Sequence, residues 1–225
     1  EALETVDAVF GVTTPYEVGV EAEVQHGLNL VDAAVEAGVE HFVFSSVGKA
    51  DQSTGIPHFD SKYEVEKYLK ESGLPYTIIA PVFFMENWLS PWFLPSLQEG
   101  NVALAMPADR KLAHISIRDI GRFATLVFEN RGDFLGKRID IASDDLSGQE
   151  LVEKIGSFTG RRLGYFQIPI EGMRKQNEDW AKMFEWFDSV GYDVDIQRLE
   201  QDYPEVGWTR FDNWQERQDW SALGG

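Results

Sequence analysis

The sequence contains no cysteine, few basic residues and no long apolar run. Without Cys the chain can form no disulfide, thiolate nucleophile or Cys-based metal site, and we assign it no metal. Lys and Arg number 20 against 38 Asp and Glu, which makes the formal net charge −18. Because nucleic acids and anionic membrane surfaces are bound mainly through Lys and Arg, this charge argues against both as direct partners.

Targeting and membrane signals are also missing. No stretch approaches the roughly 18 apolar residues that a spanning helix needs, and no signal peptide opens the chain. The absence of Cys fits a reducing compartment, so we expect a cytoplasmic protein.

What the sequence does contain is a regular alternation of strand-like and helical segments. Apolar runs at residues 6–12, 39–46 and 76–80 predict strands, and helical spacing at residues 17–37 and 57–72 predicts the helices between them. Short links between these segments predict an α/β fold with a doubly wound parallel sheet of the Rossmann type. Ligands of such sheets lie at the carboxyl ends of the strands.

The alternation weakens beyond Pro81. Residues 84–100 are rich in Trp, Phe and Pro, which is typical of a lid or a substrate-side lobe. For the aromatic residues of 83–93, ordinary core packing is the alternative. We therefore predict a nucleotide-binding domain at 1–145 and a smaller α+β lobe at 146–225 that is interleaved with it. Within the lobe, Ser147 and Glu150 have the spacing of a capping box at a helix start.

One expected element is absent from the sequence. Nucleotide-binding sheets of this type begin with a strand and a Gly-rich turn that holds the diphosphate at a helix N-terminus. No G-x-x-G-x-x-G occurs here. We expect this segment to precede Glu1, and we expect the chain as given to bind dinucleotide more weakly than a version with the segment restored. The strand at 6–12 would then be an apolar edge that can pair with another chain, which leaves a homodimer open.

The segment HFDSKYEVEK, residues 58–67, contains two overlapping candidate pairs. Tyr63 and Lys67 form Y-x-x-x-K, the spacing of many reductases, and His58 and Lys62 form H-x-x-x-K. With about 100° of rotation per residue, His58 and Lys62 fall on the same face as Val65, whereas Tyr63 and Lys67 fall on the opposite side. The pair predicted to face the strand ends is His58–Lys62.

The partners of Lys62 are left open by this argument. An inward ammonium needs partners, which ribose hydroxyls and Ser45 or Ser46 would supply; alternatively Lys62 reaches Glu66 in solvent. His58 can donate a proton near neutral pH, or it is a packed histidine without a catalytic role. The candidate catalytic residues from this argument are Lys62 and His58.

Several blocks in order carry a family resemblance. The segments VTTPYE, AGVEHFVFSSVGKAD, TGIPHFDSKYEVEKYL, GLPYTIIAPVFFMENW and SIRDIG, with IASD and MFEWFDSVGY later on, resemble the NmrA-like family of atypical short-chain dehydrogenases/reductases. The resemblance covers essentially the whole chain. It implies a Rossmann domain with a small C-terminal lobe and NADP or NAD as the cofactor.

The resemblance also implies which residues contact the cofactor. Thr13–Pro15 would line the adenine ribose, Gln25 would touch phosphate or ribose, Lys62 would hold the nicotinamide ribose, and residues 84–87 would wrap the nicotinamide. The full implied set is Thr13, Thr14, Pro15, Gln25, Ser45, Lys62, Phe84, Met85, Glu86 and Asn87. The family commonly lacks the catalytic tyrosine, and His58 stands in its place here. Ser45 and Ser46 stand where the reductase serine would be, so the resemblance adds both as candidate catalytic residues.

Two functions follow from the resemblance. The first is a dinucleotide or redox sensor that acts through a regulatory protein partner, which the missing tyrosine favours. The second is an NAD(P)H-dependent reductase of a small carbonyl or quinone substrate.

Overall fold

The computed structural model describes Leu3 and residues 5–223. Contacts divide the chain into two compact units that alternate along the sequence. The first comprises Glu1–Pro81 and Ile120–Ile141, and the second comprises Val82–Asp119 and Ala142–Gly225. These units do not follow the boundary between residues 145 and 146, which stays a prediction about folding domains.

The first unit contains a parallel sheet. Its elements in chain order are β1 (Ala8–Val12), α1 (Val20–Ala37), β2 (His41–Ser45), α2 (Pro57–Glu71) and β3 (Tyr76–Pro81), followed by most of α4 (Ile117–Glu129), by α5 (Arg131–Phe134) and by β7 (Arg138–Ile141). The strand order is β1-β2-β3-β7, and every neighbouring pair is parallel. The predicted parallel α/β sheet is therefore confirmed.

Strand β1 lies at one edge of this sheet within the described residues. Phe10 is 43% exposed and Val12 is 61% exposed, so the edge carries apolar side chains. The sequence predicted an apolar edge strand over residues 6–12, and the strand found at this edge is Ala8–Val12.

Helices α1 and α2 pack closely because their contact contains a glycine. A Cβ atom placed on Gly27 of α1 would lie 2.3 Å from Cγ2 of Val65 on α2, closer than real Cβ contacts allow. The helix surfaces enclose a core that includes Val31, Phe42 and Leu69. Helix α1 ends at Gly38, whose φ of 69° is the left-handed geometry predicted for this cap.

The second unit combines two small sheets with short helices. Strands β4 (Phe83–Phe84), β6 (Lys111–Ile115) and β8 (Asp144–Ser147) form one sheet, and β5 (Asn101–Leu104) pairs in parallel with β9 (Gly164–Gln167). The helices are α3 (Leu94–Gln98), α6 (Gly148–Thr159), α7 (Ile170–Gln176), α8 (Glu178–Ser189), α9 (Ile196–Asp202) and α10 (Phe211–Gln215).

Helix α6 begins with the predicted capping box. The Ser147 hydroxyl accepts from the Glu150 amide, and the Glu150 carboxylate accepts from the Ser147 amide. Within the described part of the chain, no helix is both long and apolar enough to cross a bilayer.

Candidate functional site

The carboxyl ends of β1 and β2 lie side by side in the first unit. Val12, the last residue of β1, pairs in register with Ser45, the last residue of β2. Thr13 and Ser46 follow these two residues directly. The parallel pairing thus brings three predicted site residues, Thr13, Ser45 and Ser46, to the carboxyl end of the sheet, where ligands of parallel sheets bind.

Lys62 reaches the carboxyl end of β1 from α2. Its Nζ atom donates to the backbone oxygen of Thr13 at 2.7 Å and to Oε1 of Glu23 at 2.8 Å, and it lies 3.4 Å from the Thr13 hydroxyl. The Lys62 side chain is only 12% exposed, and the Glu23 side chain is fully buried. The ammonium is therefore held beside the strand end and is paired with a buried carboxylate.

This pairing corrects the expectations about the protein partners of Lys62, whereas its contact with ribose hydroxyls stays a prediction. The ammonium does not pair with Glu66, and its protein partners among the described residues are Glu23 and Thr13 rather than Ser45 or Ser46. Glu23 belongs to α1, 39 residues before Lys62. Because a buried carboxylate is costly unless it is paired, Glu23 directs the lysine inward.

The helix-face argument for α2 is confirmed. His58 is 8% exposed, and its ring meets the edge of Phe59 with centroids 4.8 Å apart. On the outer side, Lys67 pairs with exposed Glu64 at 2.7 Å and lies 5.4 Å from the Tyr63 ring centroid. The literal Y-x-x-x-K is thus a surface contact of its own helix.

The two neighbouring serines have different surroundings. The Ser46 hydroxyl donates to Oε1 of Glu66 at 2.5 Å, and Glu66 is fully buried. Ser45 is 7% exposed, and its hydroxyl has no hydrogen-bond partner among residues 5–223 and Leu3. Of the two candidates, Ser45 therefore keeps a hydroxyl that is free to meet a ligand.

Glu66 is held by Arg138 of β7. Nε of Arg138 donates to both Glu66 carboxylate oxygens at 3.1 and 2.9 Å, and its other nitrogens reach Asp140 at 2.6 Å and the Val47 backbone oxygen at 3.0 Å. Burial acts to lower the pKa of Arg138, but the charges of Glu66 and Asp140 outweigh burial and raise it. This network ties the segment after β2 to α2 and β7.

The remaining residues of the predicted adenine side are more exposed. The Thr14 hydroxyl is exposed and lies 3.3 Å from Glu17, and Pro15 is half-buried. Gln25 lies on the exposed side of α1, where its amide donates to Asn29 at 2.9 Å. Gln25 therefore lies apart from the Glu23 contacts, and its role toward a cofactor stays a prediction.

The four predicted nicotinamide contacts, Phe84 to Asn87, belong to the second unit. Met85 is fully buried. The Glu86 carboxylate accepts from the Ile117 amide, at 3.1 Å to each oxygen, and from the Trp214 indole at 3.0 Å. Burial raises the pKa of Glu86, and these hydrogen bonds partly oppose the rise. Glu86 thus contacts the first turn of α4, and ligand contact by this group stays a prediction.

Sequence reasoning missed Glu23 and Arg138, and it named Glu66 only as a solvent-exposed partner of Lys62, not as a buried one. A signal existed for Glu23, because it is spaced by four residues from Gly27 and by eight from Val31 along the buried face of α1. No comparable signal existed for Glu66 and Arg138, which lie 72 residues apart.

Comparison with known proteins yields a consistent family. Residues 1–216 match the model of the NmrA-like family. The chain is 31% identical over 172 residues to the NAD(P)H azoreductase of Xenophilus azovorans, covering 76% of this chain and 57% of that protein. It is 30% identical over 188 residues to the nitrogen metabolite repression protein nmr of Neurospora crassa, covering 78% and 36%.

A crystal structure of NmrA, a negative transcriptional regulator in complex with NADP, has the same fold. The TM-score is 0.73 at 21% identity, with 96% of this chain and 74% of that chain covered. This chain spans about half the length of the curated relatives it matches, from 36% to 61%. The match of the family model over nearly the whole sequence shows that the chain belongs to the NmrA-like family.

Proposed function

We propose that this protein binds NADP or NAD at the carboxyl ends of β1 and β2 and acts as a dinucleotide sensor through a protein partner. The observation that carries the proposal is the Lys62 ammonium, held beside Thr13 at the strand ends with 12% of its side chain exposed. Two short hydrogen bonds use two of its three N–H groups. The third N–H has only the long contact of 3.4 Å with the Thr13 hydroxyl, for which a ribose oxygen would compete.

The surrounding residues fit such a ligand. Ser45 offers a free hydroxyl, and Thr14 offers an exposed one near the end of β1. The NmrA regulator was crystallised with NADP, which supports the same ligand class here. The resemblance to the nitrogen metabolite repression protein supports a regulatory role. A cytoplasmic location is part of this proposal.

A sensor is favoured over an enzyme because proton donors at the carboxyl ends of β1 and β2 are few. The tyrosine of the Y-x-x-x-K lies on the outer face of α2, and the Ser46 proton is directed to Glu66. A reductase normally protonates its carbonyl product from a positioned acid. His58 is the inward candidate for that role, and it is buried against Phe59.

Calorimetric titration of NADPH and NADH tests the binding proposal, with two lysines of the same helix as a matched pair. Lys62→Met should weaken binding by about tenfold or more, because a hydrogen bond from a charged group is lost. Lys67→Met should leave binding unchanged, because Lys67 pairs with Glu64 on the outer face. Equal affinities of both variants and the unmodified chain would refute the assignment of Lys62.

The alternative function is an NAD(P)H-dependent reductase, favoured by the free hydroxyl of Ser45 and by the relative with azoreductase activity. NADPH oxidation would be followed with a panel of quinones, azo compounds, aldehydes and enones. Steady-state turnover that falls in Ser45→Ala, at unchanged NADPH affinity, would establish the reductase and overturn the sensor. No turnover across the panel supports the sensor.

A further inference from the structure

Glu23 is a buried acid whose two carboxylate oxygens both accept hydrogen bonds from protein donors. It is fully buried on α1, and its carboxylate accepts from the Lys62 ammonium, from the Thr13 hydroxyl at 3.0 Å and from the Ser61 hydroxyl at 2.5 Å. Both carboxylate oxygens are therefore engaged by protein donors. Such a group acts on a ligand only through the residue it holds.

We infer that Glu23 is a positioning residue that fixes the Lys62 ammonium for a neutral ribose hydroxyl; this inference rests on the proposed function, because it takes Lys62 to touch the ligand. A lysine has four rotatable bonds, and its free side chain samples many rotamers. The bonds to Glu23 at 2.8 Å and to the Thr13 oxygen at 2.7 Å hold the nitrogen in one place before a ligand arrives. Preorganisation of this kind strengthens binding by lowering the ordering cost.

The charge of Glu23 also selects the kind of ligand group. With Glu23 ionised, the Lys62–Glu23 pair has no net charge and presents an N–H donor rather than an isolated cation. A phosphate at this point is repelled by the Glu23 carboxylate as well as attracted by the Lys62 ammonium, whereas a neutral hydroxyl oxygen accepts the N–H without that repulsion. The ligand class for this position is therefore a sugar diol.

A double-mutant cycle on NADPH affinity tests the inference, using the whole chain as Glu23→Gln, Lys62→Met, the double variant E23Q/K62M and the unmodified protein. We expect E23Q to weaken NADPH binding by about tenfold when Lys62 is present and by less than about twofold in the K62M background. A residue that acts only through Lys62 has no effect once Lys62 is absent. A residue that merely supports the fold weakens binding equally in both backgrounds.

Ser61→Ala is the milder variant if E23Q does not fold, since it removes one donor to Glu23 and leaves Lys62 untouched. A smaller loss of affinity is expected, and it should again disappear in the K62M background. Equal losses with and without Lys62 overturn the inference, as does unchanged affinity in E23Q or S61A while K62M weakens binding. If K62M itself changes nothing, or NADPH is not bound even by a version with the segment expected before Glu1 restored, the proposed function fails and the inference falls with it.

Discussion

Arg138→Met tests whether the buried network around Glu66 stabilises the first unit. The substitution keeps much of the aliphatic length of the side chain and removes the guanidinium that contacts Glu66, Asp140 and the Val47 backbone. Glu66 is fully buried, so the loss leaves a carboxylate with weaker compensation. The remaining donors to Glu66 among the described residues are the hydroxyl of Ser46 and the exposed Lys70 at 3.3 Å.

Removal of one partner of a buried ion pair costs about 3–5 kcal/mol. Since two donors to Glu66 remain, we expect the lower end, about 3 kcal/mol of unfolding free energy. For a chain of this size about 1 kcal/mol lowers Tm by roughly 2–4 °C, so the expected loss in Tm is about 6–12 °C.

Urea denaturation and calorimetry at neutral pH measure this loss, with Arg198→Met as the matched control. Arg198 pairs with Asp202 one helical turn away, and its side chain is 69% exposed. Exposed pairs of this kind contribute about 0–1 kcal/mol, so the control should lose little or no unfolding free energy. A loss in Arg138→Met no larger than that of the control would show that Glu66 needs no buried partner and would refute the reasoning.

Three further substitutions or conditions have defined outcomes. Gly27→Ala should destabilise the chain by about 1–3 kcal/mol because the new Cβ meets Val65. Gly121→Ala in α4, where nothing lies within 4 Å of the added Cβ, should be neutral or stabilising by up to about 1 kcal/mol. Equal shifts of the urea midpoint in the two variants would contradict this. Burial lowers the pKa of His114 to about 4. The stability contributed by its neutral form is therefore present above pH 6.5 and should fall by about 3 kcal/mol toward pH 4. A His114→Gln chain, although less stable at pH 7, should lose less stability on acidification, and an equal loss in both chains would show that other groups are responsible. Ser147→Ala should cost about 1 kcal/mol through the lost cap of α6, and an unchanged melting temperature would show that the capping box adds nothing.

The order of the elements and the inward face of α2 could be predicted from the sequence alone. Strand and helix periodicity depends on neighbours within a few residues, which is why the parallel sheet, the Gly38 cap and the outward direction of Tyr63 and Lys67 were all readable. Family membership was readable for a related reason, because matched blocks occur in order along one chain.

The pairing of the buried charges, in contrast, depends on how whole elements pack in three dimensions. The close approach at Gly27 and Val65 sets how α1 meets α2, and that crossing brings Glu23 to Lys62. Glu66 likewise finds Arg138 only because β3 and β7 are adjacent in the sheet. Such pairs join residues 39 and 72 positions apart. Local periodicity cannot predict partners that far apart in the sequence, because the packing of whole elements selects them.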